Sequence, residues 1–141
     1  MALQESFELR DLCLRFYQAM EAGNASQALG LVSREQGGLS IGTDPAEWWS
    51  DYASVERVYD AQLPEMRDAS VRFQPGEVQC YHEGTVGWCA DRPRIILPDG
   101  TEQSMNLTAV FHKEGDTWKV VQSHACFGVP NADAIGTDLT I

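Results

Sequence analysis

The polar side chains that best suit a ligand site lie in the last predicted strand, at Gln122 and His124. If Gly115-Asp116 forms a two-residue turn, His124 lies opposite Leu107 and Gln122 opposite Ala109 on an otherwise apolar face. An imidazole there can act as a general base or donate a hydrogen bond to a ligand. A core histidine satisfied by a backbone carbonyl is the alternative interpretation. The pattern predicts Gln122 and His124 as polar anchors of a pocket.

Two more polar candidates are associated with predicted helices. Tyr17 borders the apolar stripe of the first helix and could direct its hydroxyl into the pocket. Asp44 precedes Pro45, where a carboxylate with a raised pKa could act as a base. The same aspartate could instead cap a helix, which would lower its pKa and occupy its lone pairs. Both residues are predicted pocket residues, and the catalytic residues are unknown.

The other predicted pocket residues are apolar or aromatic. A mostly apolar lining with a few polar groups is typical of small-molecule sites, so we expect a small, largely apolar ligand. These residues come from the last hairpin, the strand beside it and the third helix, and they are Met105, Leu107, Trp88, Trp48 and Tyr52.

Metal and cofactor chemistry have no comparable support in the sequence. No pair of histidines or cysteines has the short spacing of zinc sites, and no glycine-rich phosphate loop precedes a helix. We predict no metal and no cofactor. The cysteines lie in apolar neighbourhoods without a Cys-x-x-Cys pair, so reduced core thiols are predicted at Cys13, Cys80, Cys89 and Cys126.

Three helices are predicted in the first half of the chain. Apolar residues recur at three- and four-residue spacing over residues 9–20, and Gly23 can end this amphipathic helix. Asn24, with a glutamine three residues later, predicts a second helix through residue 31. After a short strand at 39–41, Asp44-Pro45-Ala46-Glu47 has the composition of a helix start, and Pro64 is predicted to end this third helix.

From residue 70 onward the apolar period changes to two, and glycine and proline mark the turns. Strands are predicted at about 77–82, 85–97, 102–114 and 117–128, joined as an antiparallel meander. Helices followed by such a sheet indicate an α+β fold. We expect one domain over residues 1–141, in which a cone-shaped, curved antiparallel sheet is covered by three N-terminal helices and encloses a pocket.

The composition argues against several partners. The formal net charge of −11 repels phosphate backbones and anionic headgroups, and the ten Lys and Arg residues are scattered. We therefore expect neither nucleic-acid nor membrane binding. The beginning of the sequence has no apolar secretion signal, which predicts a cytoplasmic location.

Four segments resemble the nuclear transport factor 2-like superfamily, and in particular its SnoaL-like, ketosteroid isomerase-like branch. They are residues 41–49 (IGTDPAEWW), 84–88 (GTVGW), 107–111 (LTAVF) and 118–124 (WKVVQSH). The resemblance implies a cone-shaped fold with an internal cavity and frequent homodimers. Members include ketosteroid isomerases, polyketide cyclases, dehydratases and non-catalytic association domains, so the fold does not select the function.

The resemblance also implies specific roles. In the isomerases, a tyrosine on helix one and an aspartate before helix three match Tyr17 and Asp44 in place. The acid that helps hold an oxyanion falls near Leu107, which cannot donate a hydrogen bond, and this weakens the isomerase hypothesis. The prediction is a domain that binds a small apolar ligand, with isomerase, cyclase or lyase chemistry left open. The alternative is a non-catalytic, homodimerising association module.

Overall fold

The computed structural model describes residues 2–141, and its main helices precede most of its strands, as the sequence predicts. The helices are α1 (Phe7–Ala22), α2 (Ala25–Leu29), α3 (Tyr52–Asp68) and α4 (Asn131–Ile135). The strands are β1 (Gln4–Glu5), β2 (Leu39–Ile41), β3 (Trp48–Trp49), β4 (Arg72–Gln74), β5 (Gln79–Glu83), β6 (Val86–Asp91), β7 (Arg94–Ile96), β8 (Glu102–Ser104), β9 (Asn106–Glu114) and β10 (Thr117–Cys126).

The strands form a large sheet and a small one. The seven-stranded sheet has the order β1-β5-β6-β9-β10-β2-β3, and the three-stranded sheet has the order β4-β7-β8. Neighbours are antiparallel except β10 and β2. Two predicted strands are each divided, because Pro93 has no N–H for the ladder and Met105 donates its backbone N–H to the Pro93 carbonyl. The predicted α+β class, with N-terminal helices on a large curved sheet, is confirmed.

The first two helices begin and end on the signals that the sequence contains. Gly23 ends α1 with a φ of 64°, and the Asn24 side chain accepts the Gln27 N–H to begin α2. Helix α2 stops at Leu29, two residues before the predicted end. The cause is a strand contact, since the Leu31 carbonyl accepts the backbone N–H of Val120.

Helix α3 differs from its prediction at both ends. The segment 44–47 forms a turn, and Trp48 and Trp49 then pair antiparallel with β2. Asp51 is the true cap and accepts the Ser54 N–H at 2.8 Å. Pro64 lies inside the helix, which continues to Asp68. The N–H that proline lacks would have bonded the carbonyl of Asp60, an exposed residue that water can reach.

The main core lies between α1 and the inner face of the large sheet, which is the face turned toward the helices. Leu9, Cys13 and Tyr17 pack there with Cys89 and Phe111. A glycine in β6 allows this close approach, because a Cβ at Gly87 would lie 2.4 Å from the Leu9 Cδ1 atom. None of the helices within residues 2–141 is long and apolar enough to cross a membrane.

Two of the four cysteines are joined, so the prediction of reduced thiols is wrong for them. Cys80 and Cys89 stand directly opposite each other on β5 and β6, with Cα atoms 4.2 Å apart, and form a disulfide. Cys13 and Cys126 are free. Strand register creates this pairing, which spacing along the chain does not reveal.

Candidate functional site

A β-bulge in β10 decides which side chains face the helices. Val120 lies opposite Phe111 as predicted, but Gln122 pairs with Val110 and His124 with Thr108. The extra residue is Val121, and one extra residue turns every later side chain to the other face. The predicted pairs of Gln122 with Ala109 and of His124 with Leu107 are therefore wrong.

The bulge moves the two predicted anchors to the outer face of the sheet, the face turned away from the helices. Gln122 and His124 are both exposed and line neither of the hollows described below. Ser123 and Ala125 take the inward positions, opposite Ala109 and Leu107. Val120 and Val121 are adjacent apolar residues that interrupt the alternation of the strand, and this interruption is the sequence signal for the bulge.

Two adjoining hollows lie between the helices and the inner face. The larger has a volume of about 140 Å³ and the smaller about 50 Å³. Polar groups mark the boundary between them, where the hydroxyl oxygens of Ser40 and Ser123 are 3.2 Å apart. Tyr59 borders both hollows at this point, and burial raises the pKa of its hydroxyl. The side chains common to both walls are Phe16, Ser40, Tyr59, Leu107 and Ser123.

The structure brings together part of the predicted pocket. Tyr17 and Met105 line the larger hollow, Tyr52 lines the smaller one, and Leu107 lines both. The others lie elsewhere. Trp48 is 63% exposed in β3, and Trp88 pairs with Tyr81 and Val110 on the outer face.

Asp44 is exposed, and Glu47 from the same turn reaches the larger hollow instead. An Asp44 side-chain oxygen accepts the Ala46 N–H at 2.8 Å, so this aspartate caps the turn. One oxygen of Glu47 accepts the Asp44 N–H at 2.8 Å, and the other accepts the Gln62 side-chain amide at 3.1 Å. The sequence pattern indicates only a capping role for Glu47, and it contains no signal for the position of its carboxylate at the hollow.

Tyr17 contributes its ring to the larger hollow, while its hydroxyl serves a buried carboxylate. The hydroxyl donates to Asp91 at 2.7 Å, and Asp91 also accepts the backbone N–H groups of Arg92 at 2.8 Å and Gly76 at 3.3 Å. Burial raises the pKa of Tyr17, with further contributions from Cys13 and Asp91. Burial likewise raises the pKa of the Cys13 thiol to about 11. Tyr17 therefore remains a protonated donor to Asp91, a residue 74 positions away that no local sequence pattern connects with it.

A cluster of polar side chains lies beside the smaller hollow. It contains Glu35, which borders the hollow, and His112 and Glu114 of β9. His112 Nε2 lies 2.5 Å from a carboxylate oxygen of Glu114 and 4.0 Å from one of Glu35. Hydrogen bonds from Ser33 and then His112 lower the pKa of Glu114. Glu35, His112 and Glu114 are the group within residues 2–141 whose geometry could hold a metal ion, because their ligand atoms lie within 4.8 Å of one another. Its members already pair with each other, and 68% of the Glu35 side chain is exposed.

Solved structures share this architecture. One similar structure is a nuclear transport factor 2-like protein of unknown function from Pseudomonas putida (TM-score 0.75, 15% identity, 84% of this chain and 83% of that one). A proposed dehydratase of the same superfamily from Streptomyces avermitilis is also similar (TM-score 0.71, 20% identity, 86% and 94%). So is a proposed calcium/calmodulin-dependent protein kinase II association domain from Xanthomonas campestris (TM-score 0.70, 15% identity, 86% of each chain). These identities show a shared fold.

The sequence itself identifies the family. No curated protein matches the chain. The family profile described as a SnoaL-like domain matches residues 9–130, which include most of α1, all of α2 and α3, and every strand from β2 to β10. The chain therefore belongs to the SnoaL-like domain family.

Proposed function

We propose that this chain, as one domain over residues 1–141, binds a small and largely apolar molecule in the two hollows. The observation that supports the proposal is a space between α1, α3 and the sheet whose wall is mostly apolar, with polar side chains such as Ser40, Ser123 and Glu47 at separate places in it. Ligand sites combine such a lining with a few placed polar groups. An engineered apolar cavity of about 150 Å³ holds benzene, so the larger hollow suits a ligand of about one ring.

The arrangement supports binding more directly than it supports an isomerase. Tyr17 donates to Asp91, Asp44 is exposed, and Leu107 has no donor, and these three positions favour binding over isomerase chemistry. Glu47 is the carboxylate at the larger hollow, and it is the residue to test if turnover of a ligand is found.

The test is a screen with neutral one-ring probes, such as toluene and benzyl alcohol, followed by two-dimensional NMR. Saturable shifts are expected at residues around the hollows. Leu107→Trp should remove this binding, because Leu107 lines both hollows. Val86→Trp is the matched control, since Val86 is 46% exposed on β6, and it should leave binding unchanged. Saturation without shifts near Leu107, or equal binding by Leu107→Trp, would contradict the proposal.

A homodimer formed by the outer face of the large sheet is the second candidate. Tyr81 and Val86 are 38% and 46% exposed there, beside Trp88, and one similar structure is described as an association domain. Exposed apolar patches often mark interaction sites. Light scattering after gel filtration should give a dimer for the wild type and a monomer for Tyr81→Lys with Val86→Lys. Phe7→Lys, at a 67% exposed phenylalanine that begins α1 on the other side of the sheet, should stay dimeric. A monomeric wild type would exclude this candidate.

A further inference from the structure

Glu47 places a negatively charged side chain in the wall of a hollow that is otherwise mostly apolar. Its hydrogen-bond partners are all uncharged groups: the Asp44 N–H, the Gln62 side-chain amide and, at 3.5 Å, the Thr43 hydroxyl. Among the residues that the structure describes, no lysine, arginine or histidine forms an ion pair with it. The half-buried carboxylate is therefore hydrogen-bonded by uncharged groups, and no opposite charge is paired with it among the described residues.

The turn holds this carboxylate in one place. A Cβ on Gly42 would lie 2.8 Å from both Cβ and Cδ of Glu47, so the glutamate side chain lies directly against the backbone there. The Asp44 N–H fixes one oxygen and Gln62 of α3 fixes the other. Because this carboxylate is already held in position, its side chain loses little conformational entropy when a ligand binds to it.

The surroundings suit an ammonium group in particular. Gln62 directs its amide nitrogen at Glu47, which leaves its carbonyl oxygen as a second acceptor beside the carboxylate. An ammonium group carries three donors and no acceptor, so it matches acceptors of this kind. The net charge of −11 also raises the local concentration of cations and disfavours anions.

We propose that the ligand of the larger hollow is an amine whose ammonium group binds Glu47 and whose body is one ring or a short alkyl chain. This inference rests on the proposed function. It adds the chemical class of the ligand and assigns Glu47 as the residue that selects it.

The experiment compares three probes of nearly the same shape: benzylamine, benzyl alcohol and benzoate. Calorimetry or NMR titration at neutral pH should show benzylamine binding at least about tenfold more tightly than benzyl alcohol, because hydrogen bonds to charged groups are the stronger ones. Benzoate should bind most weakly of the three. Glu47→Gln should remove the preference for benzylamine and leave the affinity for benzyl alcohol within about twofold.

Asp44→Asn is the matched control. It removes the same charge three residues away, from a side chain that does not line the hollow, and asparagine can still cap the turn. The preference for benzylamine should survive in this variant. If Asp44→Asn also loses the preference for benzylamine, the overall negative charge of the protein selects the amine, and contact with Glu47 does not. The inference would then be wrong.

The outcomes separate this inference from the function on which it rests. Equal binding of benzylamine and benzyl alcohol to the wild type would overturn the amine class and leave the hollow as a binding site. Absence of binding by all three probes would overturn both. If Glu47→Gln fails to fold, the comparison of the probes on the wild type and on Asp44→Asn still decides the question.

Discussion

Asp91 is a buried carboxylate whose place in the interior depends on the hydrogen bonds that it accepts. Only 8% of the residue is exposed, and its donors are Tyr17 and two backbone N–H groups. The oxygen that accepts the Tyr17 hydroxyl also accepts the longer bond from the Gly76 N–H, so loss of Tyr17 would leave this buried oxygen with its weaker donor alone. Tyr17 thus ties α1 to the end of β6, which fixes one wall of the larger hollow.

Tyr17→Phe should lower the free energy of unfolding by about 1 to 3 kcal/mol, because it removes this donor and retains the ring. Urea denaturation monitored by fluorescence measures the change. Tyr81→Phe is the control, because Tyr81 is 38% exposed and should cost less than about 0.5 kcal/mol. Equal effects of the two substitutions would show that the Asp91 contact contributes little.

Glu114 gives the fold a pH dependence of known sign. Its pKa is lowered from the ordinary 4.5, first by the hydrogen bond from Ser33 and then by His112. A lowered folded-state pKa adds stability above the ordinary value, and this stability is lost as the pH falls through the folded value.

Ser33→Ala should therefore lower the free energy of unfolding at pH 7. The difference in this free energy between the variant and the wild type should become smaller as the pH falls below 4.5, the ordinary pKa of a glutamate. Chemical denaturation at several pH values measures this difference. In a Glu114→Gln background, the same serine substitution should show no such narrowing. A difference independent of pH in both backgrounds would assign the role of Ser33 to its contact with the Glu35 N–H instead.

At the scale of elements, the pairing of β5 with β6 produces the disulfide between Cys80 and Cys89. Both residues are buried beneath α1, at 3% and 1% exposure. A disulfide of this kind persists in oxidising compartments and is rare in a reducing cytoplasm. The cytoplasmic location predicted from the sequence therefore has a direct chemical test.

Thiol titration of the denatured protein without reductant should label Cys13 and Cys126 alone, and treatment with reductant should expose all four cysteines. Replacing Cys80 and Cys89 by alanine should reduce the free energy of unfolding by about 2 to 4 kcal/mol. Cys126→Ala serves as the control for loss of a free thiol. Four reactive thiols in protein isolated under alkylating conditions would show that the pair is reduced in the cell.

For the whole molecule, the net charge of −11 acts against compactness through repulsion among the acidic side chains. Raising the salt concentration from about 10 mM to about 150 mM shortens the Debye length from about 30 Å to about 8 Å. The unfolding temperature at pH 7 should therefore rise with salt, as measured by calorimetry. Near the sequence pI of about 4.5 this rise should be small, and an equal rise at both pH values would point to a cause other than net charge.

Much of the architecture follows from local sequence. The amphipathic spacing in α1, the left-handed glycine at 23 and the capping asparagine at 24 act within one or two turns, and the structure has all three as predicted. The change of period after residue 70 likewise indicates the antiparallel sheet, because alternation is a property of each strand alone. The segment 44–47 shows the limit of such signals, since it forms helix-start hydrogen bonds and then enters a strand that pairs with β2.

The sequence by itself determined the α+β class, the order of the main elements and the resemblance to the SnoaL-like family. Tertiary structure alone decided the register after Val121, the contact of Asp91 with Tyr17 and the position of Glu47 at the hollow. The physical reason is one of range. Helix periodicity and capping depend on neighbours three or four residues apart, whereas a bulge, a disulfide or a pocket wall depends on which distant strand or helix lies opposite.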